Sequence, residues 1–267
     1  AAAMHAVSCL PAITGAWQWP GGGALYSNGG LYGLNTGFLN GLDACQPTAR
    51  RLDMAQIGAI LAGDAQALLG GPPVGALLVQ NTNPAVVAPD SLAVRRGLLR
   101  DDLFTCVHEQ FMTETAKYAD LVLPATTFLE HDDLYQASGH THLQLSQAWL
   151  APLGDCRSNH DFIAALAGRL GIAHPAFAAS AWQMVDTLLQ SSGRGSAEAL
   201  AAAGWLDCAP DFDEAHFLNG FGHADGRFRF APDWSAIGEG HAAMPALPDH
   251  AELIDDCLAP ALAAQGF

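Results

Sequence analysis

Polar residues follow three short apolar runs in the middle of the chain, and their side chains suit hydrogen bonding to a polar ligand. An asparagine amide, as at Asn81 and Asn83, offers both a donor and an acceptor. The Glu109 carboxylate can accept from a ribose hydroxyl or from the amino group of guanine. Each residue taken alone is also explained as part of a capped turn. Together, three clusters favour a nucleotide-like ligand: Asn81-Thr82-Asn83, His108-Glu109-Gln110 and Ala125-Thr126-Thr127.

A second group of reactive side chains runs from Glu130 to Asp133, with His140 and His142 close behind. Imidazole and carboxylate groups are ligands that zinc uses, so these residues allow a metal-dependent hydrolase as one hypothesis. Residues two apart on a strand share one side of it but seldom complete a metal site by themselves. A solvated acidic loop is the favoured interpretation, with His131 reaching the ligand over the strand ends.

The elements that must position these residues are strands and helices in alternation. Continuous apolar runs at 75–80, 103–107 and 120–123 predict strands buried on both faces of a parallel sheet. Helices are predicted between them, over 90–99 and 113–119. This alternation predicts an α/β fold with a doubly wound, mostly parallel sheet and flanking helices. The carboxyl ends of such strands lie at one edge of the sheet, where the three polar clusters would meet.

The chain beyond these strands is predicted to be mainly helical. Apolar residues at helical spacing predict helices over 158–170, 178–189 and 196–203. Residues 223–230 place phenylalanines in alternation after an Asp-Gly pair, which predicts a hairpin. Three prolines within 231–250 indicate a linker.

The composition excludes several classes of protein. The 267 residues carry 27 acidic and 11 basic side chains, a formal net charge of −16, which argues against a general binder of nucleic acid or anionic membranes. No apolar run is long enough to span a membrane. None of the six cysteines has the C-x-x-C spacing of a zinc or iron–sulfur site. The glycine-rich fingerprints of common NAD and P-loop sites are also absent from the sequence.

Two stretches resemble the molybdopterin oxidoreductases, the dimethyl sulfoxide reductase superfamily. They are residues 76–84 (ALLVQNTNP) and 107–127 (VHEQFMTETAKYADLVLPATT). The pattern T-E-T-A-x-x-A-D-x-V-L-P is the specific part, whereas N-x-N-P alone is weak. The resemblance extends over residues 1–172, with Thr14-Gly15 upstream and Arg157-Ser158-Asn159 downstream. Members of this family carry molybdenum on two molybdopterin guanine dinucleotides.

The resemblance implies roles for residues at the predicted strand ends. Asn81 or Asn83 would contact one of the pterin guanine dinucleotides. His108 and Glu109 lie where the family has a polar and an acidic residue touching the same nucleotide. These four positions coincide with clusters that the strand-end argument selects independently.

Further cofactor contacts are implied at positions where this sequence differs from its relatives. His131 matches a position that is lysine in some relatives, and Asn159 matches one that is often aspartate and binds the guanine end. Ser27 and Asn28 lie where the formate dehydrogenase branch has residues beside the molybdenum. Tyr26 replaces the arginine of that branch, which disfavours formate as the substrate.

The resemblance also implies that this chain is an internal piece of a longer polypeptide. The family's iron–sulfur cysteines and molybdenum ligand lie before the matching segment, and its closing β-barrel lies after it. We therefore expect residues 1–172 to form an incomplete α/β region that binds the dinucleotide cofactor. Residues 173–267 would form the helical extension with its hairpin and linker.

The expected function is that of a segment holding part of a molybdenum bis(molybdopterin guanine dinucleotide) cofactor. In the intact enzyme this cofactor would carry out two-electron redox or oxygen-atom transfer chemistry, and the piece alone would be inactive. A [4Fe-4S] cluster would be bound by a region outside this chain. Expected partners are the remaining domains, an electron-transfer subunit and a small-molecule substrate, with no nucleic acid and no membrane span. The alternative is a nucleotide-binding module that has lost the redox centre.

Overall fold

The computed structural model describes residues 2–25, 27–41, 44, 48–237, 244 and 247. Their contacts group the chain into two compact units. One unit contains the described residues of 33–135 and 143–206, and the other contains those of 1–32, 136–142 and 207–267. The helices beyond residue 172 are divided between both units, so the functional boundary expected there stays a prediction.

A parallel sheet of three strands forms the centre of the first unit. The strands are β1 (Ala76–Gln80), β2 (Phe104–Glu109) and β3 (Leu121–Pro124), in the order β1-β2-β3. Gln80 lies opposite His108, and Glu109 lies opposite Pro124. This arrangement confirms the predicted α/β fold and brings the carboxyl ends of all three strands to one edge.

Helices pack against this sheet. The described α-helices of this unit are α2 (Ile57–Leu61), α3 (Pro84–Val87), α4 (Ser91–Leu98), α5 (Asn159–Arg169), α6 (Ala181–Ser191) and α7 (Ala197–Ala203). Leu61 of α2 and Val94 of α4 are fully buried in one cluster, against which Leu77 of β1 packs. Val79 and Val107 form a neighbouring cluster on the sheet. The core of the unit therefore lies between the sheet and the layer of α2 and α4.

Side-chain caps begin two of these helices where the sequence predicts. The Asp90 carboxylate accepts a hydrogen bond from Ala93 N–H at 3.1 Å, and α4 follows. Ser158 accepts from Asp161 N–H at 3.1 Å, and α5 follows. Each cap satisfies an N–H group that has no partner within the helix.

The helical segment between β2 and β3 is shorter than predicted. In place of a helix over 113–119, only the 3₁₀ turn Ala116–Tyr118 forms. The Thr113 hydroxyl accepts from Ala116 N–H, and the Thr115 side chain is bound to another loop. These contacts hold the segment in a single tight turn.

A second, small sheet accompanies the parallel one. It has the order β4-β5-β6, from β4 (Asp133–Tyr135), β5 (His142–Ser146) and β6 (Leu206–Asp207). Strands β4 and β5 are antiparallel, with Leu134 opposite Leu145. Strand β4 begins at Asp133, the last residue of the acidic group, and so determines where Asp133 lies.

The other unit has an aromatic core. It contains α1 (Ala2–Thr14) and α8 (Phe212–Ala215), and the Trp17 ring meets those of Phe217 and Phe221 edge-on at 5.0 and 6.5 Å. The segment 223–230, which was predicted as a hairpin, forms a turn in which Gly226 N–H donates a hydrogen bond to His223 O. No paired strands flank this turn. Contacts among phenylalanine rings hold this segment instead of a strand ladder. Much of the predicted linker lies outside the described residues.

No helix in the described ranges has both the length and the apolar character needed to cross a membrane.

Candidate functional site

A polar cleft of about 400 Å³ opens at the carboxyl ends of the parallel strands. Its walls come from the ends of β1, β2 and β3, from the loop before β4, from β4 and from the first residue of α5. The lining residues are Asn81, Glu109, Gln110, Ala125, Thr126, Phe128, His131, Asp133, Tyr135 and Asn159. Four of the predicted site residues therefore share one cavity. The strand-end argument selects Asn81 and Glu109, the interpretation of the acidic loop adds His131, and the resemblance implies Asn159.

Two asparagines in the cleft are joined by hydrogen bonds. Asn159 Nδ2 donates to Asn81 Oδ1 at 3.1 Å, and Gln80 Nε2 donates to Asn159 Oδ1 at 3.0 Å. Asn81 has a left-handed backbone with a φ of 56°, a conformation that asparagine tolerates better than most residues. The chain turns sharply at Asn81 directly after β1, and Asn159 holds its side chain in place.

Carboxylate and amide groups form the wall beside β2. Glu109 Oε1 accepts from Gln110 N–H at 2.7 Å, while Gln110 Nε2 donates to Thr126 O at 2.8 Å. The second interaction links the loop after β2 to the loop after β3. No described residue donates a hydrogen bond to Glu109 Oε2, so this oxygen is available to accept one from a ligand.

His131 lies across the cleft among polar neighbours. Its Nδ1 is 2.8 Å from Thr126 Oγ1, and its Nε2 is 3.8 Å from Asp133 Oδ2. The adjacent Glu130 has a different task, because it accepts from Thr127 and Leu153 N–H groups. These hydrogen bonds, led by the one from Thr127, lower the pKa of Glu130. Glu130 therefore shapes the loop that presents His131.

His108 does not line the polar cleft. The residue is 1% exposed, its ring stacks on Phe162 at 4.5 Å between centroids, and its Nδ1 is 3.1 Å from Gln80 Nε2. It therefore supports Gln80, which in turn binds Asn159. This placement makes His108 a support of the cleft wall, although the resemblance implies a contact with the nucleotide.

Asn83 is committed to the protein's own backbone. Its Oδ1 accepts from both the N–H and the hydroxyl of Thr115, at 3.1 and 2.7 Å. Thr115 is fully buried, and its hydroxyl also accepts from Ala85 N–H. Between the two asparagines that the resemblance left open, the structure places Asn81 in the cleft and uses Asn83 to join two loops.

Replacing Asn83 with alanine is expected to reduce the free energy of unfolding by about 1–3 kcal/mol, because two buried donors of Thr115 lose their acceptor. Urea denaturation would measure the change. The exposed neighbour Thr82 supplies the control, since Thr82→Ala should change the free energy by less than about 0.5 kcal/mol. Equal effects of the two substitutions would contradict the structural role of Asn83.

Ser27 and Asn28 belong to the other compact unit. Asn28 is 8% exposed, and its Nδ2 donates to Ala137 O and His140 O at 2.7 Å. The Ser27 hydroxyl is exposed and accepts from Gly29 N–H at 3.2 Å. Asn28 thus holds a loop within its own unit. Their expected place beside the molybdenum stays a prediction, and Tyr26 lies outside the described residues.

The metal hypothesis receives no support from the described part of the chain. No three His, Cys, Asp or Glu side chains there are grouped closely enough to hold a metal ion. The rings of His140 and His142 are 5.3 Å apart, and His142 Nε2 is 3.9 Å from Asp207. The acidic loop before β4 instead uses its carboxylates to accept backbone hydrogen bonds.

The charge of the cleft decides which part of a nucleotide it suits. Its described lining contains two carboxylates, Glu109 and Asp133, and neither lysine nor arginine. Carboxylates repel phosphate but accept hydrogen bonds from hydroxyl and amino groups. The cleft therefore suits a nucleoside, with its base and sugar, rather than a pyrophosphate.

Sequence reasoning missed two residues of the cleft wall. Asp133 was considered only as part of a solvated acidic loop or of a metal site, and Tyr135 received no role, yet both lie in β4 and line the cleft. Their spacing of two residues on a strand was the available signal, because such residues face the same side.

Comparison with known proteins agrees with the fold and the sequence motifs. The profile of the molybdopterin oxidoreductase family matches residues 5–169. The chain is 44% identical over 169 residues to the probable oxidoreductase YoaE of Bacillus subtilis (strain 168), covering 63% of this chain and 24% of that protein. It is 30% identical over 175 residues to the biotin sulfoxide reductase of Cereibacter sphaeroides, covering 61% and 23% respectively.

A solved structure supports the same architecture. The acetylene hydratase from Pelobacter acetylenicus superposes with a TM-score of 0.54 at 22% identity, covering 73% of this chain and 26% of that one. These observations define a mixed α/β domain of the molybdopterin enzyme type. The chain belongs to the molybdopterin oxidoreductase family, and it spans about a quarter of the length of these relatives.

Proposed function

We propose that this chain supplies part of the binding site for the guanosine end of a molybdopterin guanine dinucleotide in a molybdenum-dependent oxidoreductase. The observation that carries the proposal is the polar cleft, which gathers Asn81, Glu109, His131 and Asn159 at the carboxyl edge of a parallel sheet. This edge is where open α/β sheets bind their ligands.

The donors and acceptors of the cleft fit the proposed group. The free oxygen of Glu109 would accept from the amino group of guanine or from a ribose hydroxyl. The Asn81 amide nitrogen would donate to an acceptor of the base, with Asn159 holding it in position. The bound cofactor would supply two-electron redox or oxygen-atom transfer chemistry, while these residues bind and orient its nucleotide end.

The remaining assignments follow from the same proposal. Residues 1–172 would be the cofactor-binding region, completed by other domains of the same polypeptide. A [4Fe-4S] cluster, an electron-transfer subunit and a small-molecule substrate would be bound outside the cleft. His108 and Asn83 would act by supporting the cleft and its neighbouring loop.

Titration of this chain with GDP, IDP and ADP tests the proposal, with binding followed by backbone amide NMR. GDP is expected to shift the signals of the cleft residues and to bind more tightly than ADP. Because IDP lacks the amino group of guanine, it should bind less tightly than GDP by about 10-fold, and Glu109→Gln should reduce that difference. Equal binding of all three nucleotides, or shifts confined to other surfaces, would contradict the assignment.

The alternative nucleotide-binding module also predicts that GDP binds. Metal analysis of the complete polypeptide separates the two hypotheses. A molybdenum-dependent oxidoreductase should contain about one molybdenum per polypeptide after expression in a host that makes the cofactor. A module without a redox centre should contain guanine nucleotide and no molybdenum.

A further inference from the structure

The polar cleft contains an exposed phenyl ring whose presence the hydrogen-bonding groups do not explain. Phe128 lines the cleft and is 60% exposed. Single exposed apolar side chains are common on protein surfaces, so exposure alone assigns no role to this ring. Its place is what matters, because the lining around it is mainly polar. An apolar ring among donors and acceptors suits a ligand that has both a polar edge and an apolar face.

The backbone that carries Phe128 is held on both sides. Thr127 N–H donates to Glu130 Oε2 at 2.7 Å, and Glu130 N–H donates to Thr127 O at 3.0 Å. The Ser146 hydroxyl donates to the carbonyl of Phe128 itself at 3.2 Å. The other carboxylate oxygen of Glu130 accepts from Leu153 N–H at 2.8 Å, which ties the turn to the loop before α5. Phe128 is therefore presented from a preorganised turn, and less entropy is lost when a ligand binds.

The ring and the polar groups of the cleft serve different parts of a nucleotide base. Hydrogen-bonding groups such as Glu109 and Asn81 recognise the edge of a base, where its donors and acceptors lie. The face of a base is a π surface, and an aromatic side chain stacks on it whichever base is present. Phe128 has no polar side-chain atom, so stacking is the contribution that it can make to binding a base.

Tyr135, the other aromatic residue of the cleft, is better suited to a polar contact. It is less exposed than Phe128, at 37%, and lies on β4 two residues after Asp133. Burial, with a smaller contribution from the Asp133 carboxylate, raises the pKa of the Tyr135 hydroxyl. The hydroxyl therefore stays protonated at neutral pH and can donate a hydrogen bond to a ligand. This difference favours Phe128 over Tyr135 as the stacking residue.

We propose that Phe128 stacks on the base of the bound nucleotide and makes the cleft selective for purines over pyrimidines. A purine has two fused rings, so it overlaps the phenyl ring more extensively than a pyrimidine does. The edge contacts then distinguish guanine from other purines. The inference rests on the proposed function, because it concerns the same cleft. It adds a contact that does not depend on the groups at the edge of the base.

Calorimetric titration of the complete polypeptide with GDP, IDP and CDP tests this proposal, after expression in a host that cannot make the cofactor. Phe128→Ala should weaken binding of GDP and IDP alike, by at least about 5-fold, since both bases present the same purine face. The ratio of these two affinities should stay within about 2-fold of the wild-type ratio, because the edge contacts are unchanged. The preference for GDP over CDP should shrink. Phe128→Trp should retain the wild-type affinity for GDP.

Phe111 supplies the matched control. It is also an exposed phenylalanine, at 72%, and lies on the loop after β2, but it is not among the residues that line the cleft. Phe111→Ala should leave the affinity for GDP within about 2-fold of wild type. Both alanine variants should unfold within about 2 °C of the wild-type midpoint, because both rings are exposed.

NMR spectra of the ligand give a direct signature of stacking. The H8 proton of GDP should move upfield on binding, since it lies over the face of an aromatic ring. Phe128→Ala should abolish this shift at saturating GDP, and Phe128→Trp should restore it.

Wild-type affinity for GDP or an unchanged H8 shift in Phe128→Ala would overturn the stacking and leave the proposed function intact. Loss of the shift in Tyr135→Leu but not in Phe128→Ala would assign the stacking to Tyr135 and overturn the inference as well. A wild-type polypeptide that does not bind GDP would overturn both the stacking and the proposed function, so the two failures are distinguishable.

Discussion

Replacing Gly97 with alanine is expected to lower the free energy of unfolding by about 1–3 kcal/mol. A Cβ at position 97 would lie 2.3 Å from the Cβ of Leu61, a separation that two carbon side chains do not reach. Leu61 is fully buried among the residues that join α2 to α4, so it has little room to move. The two helices must separate to admit the methyl group, and the core above the sheet opens with them. Urea denaturation followed by circular dichroism would measure the loss.

Gly168 provides the matched control for this substitution. It also lies within a helix, α5, but a Cβ there would meet no atom within 4 Å. Gly168→Ala should therefore raise the free energy of unfolding by up to about 1 kcal/mol, because alanine favours helix more than glycine does. If both substitutions changed stability in the same direction and amount, the close crossing of α2 and α4 would be contradicted.

The parallel sheet could be predicted because its strands have a strong local signal. The apolar runs at 75–80, 103–107 and 120–123 lie within one or two residues of β1, β2 and β3. Such continuous runs are typical of strands with apolar side chains on both faces. The single 3₁₀ turn between β2 and β3 could not be predicted, because it depends on a hydrogen bond from Thr115 to the distant Asn83.

The candidate site was predictable to the extent that it follows from strand ends. Asn81 and Glu109 meet in the cleft because β1 and β2 are parallel neighbours in register. Asn28 and Asn83 have the same chemistry in the sequence, yet the fold uses both amides for its own hydrogen bonds. Only tertiary structure decides whether an asparagine is satisfied internally or left for a ligand.

The second large effect, on nucleotide binding, is expected from removing the hydrogen-bonded side-chain amides of Asn81 and Asn159. In the complete polypeptide, the double substitution Asn81→Gly and Asn159→Ala should weaken binding of the guanine nucleotide by about 10- to 100-fold, since two hydrogen-bonding groups of the site are lost. Glycine is the suitable replacement at position 81 because it accepts the left-handed backbone without strain. The free energy of unfolding, measured with urea, should change far less than in Gly97→Ala.

The guanine nucleotide content of the purified complete polypeptide tests the central claim most directly. Acid hydrolysis releases GMP from the bound cofactor, and its amount per folded polypeptide would be compared between the wild type, the double variant and Asn40→Ala. Asn40 is an exposed turn residue outside the cleft and controls for loss of an asparagine amide. The wild type and Asn40→Ala should retain equal amounts of GMP, and the double variant should lose most of it. A double variant that folds normally and retains the full amount of GMP would contradict the assignment of the cleft to the guanosine end of the cofactor.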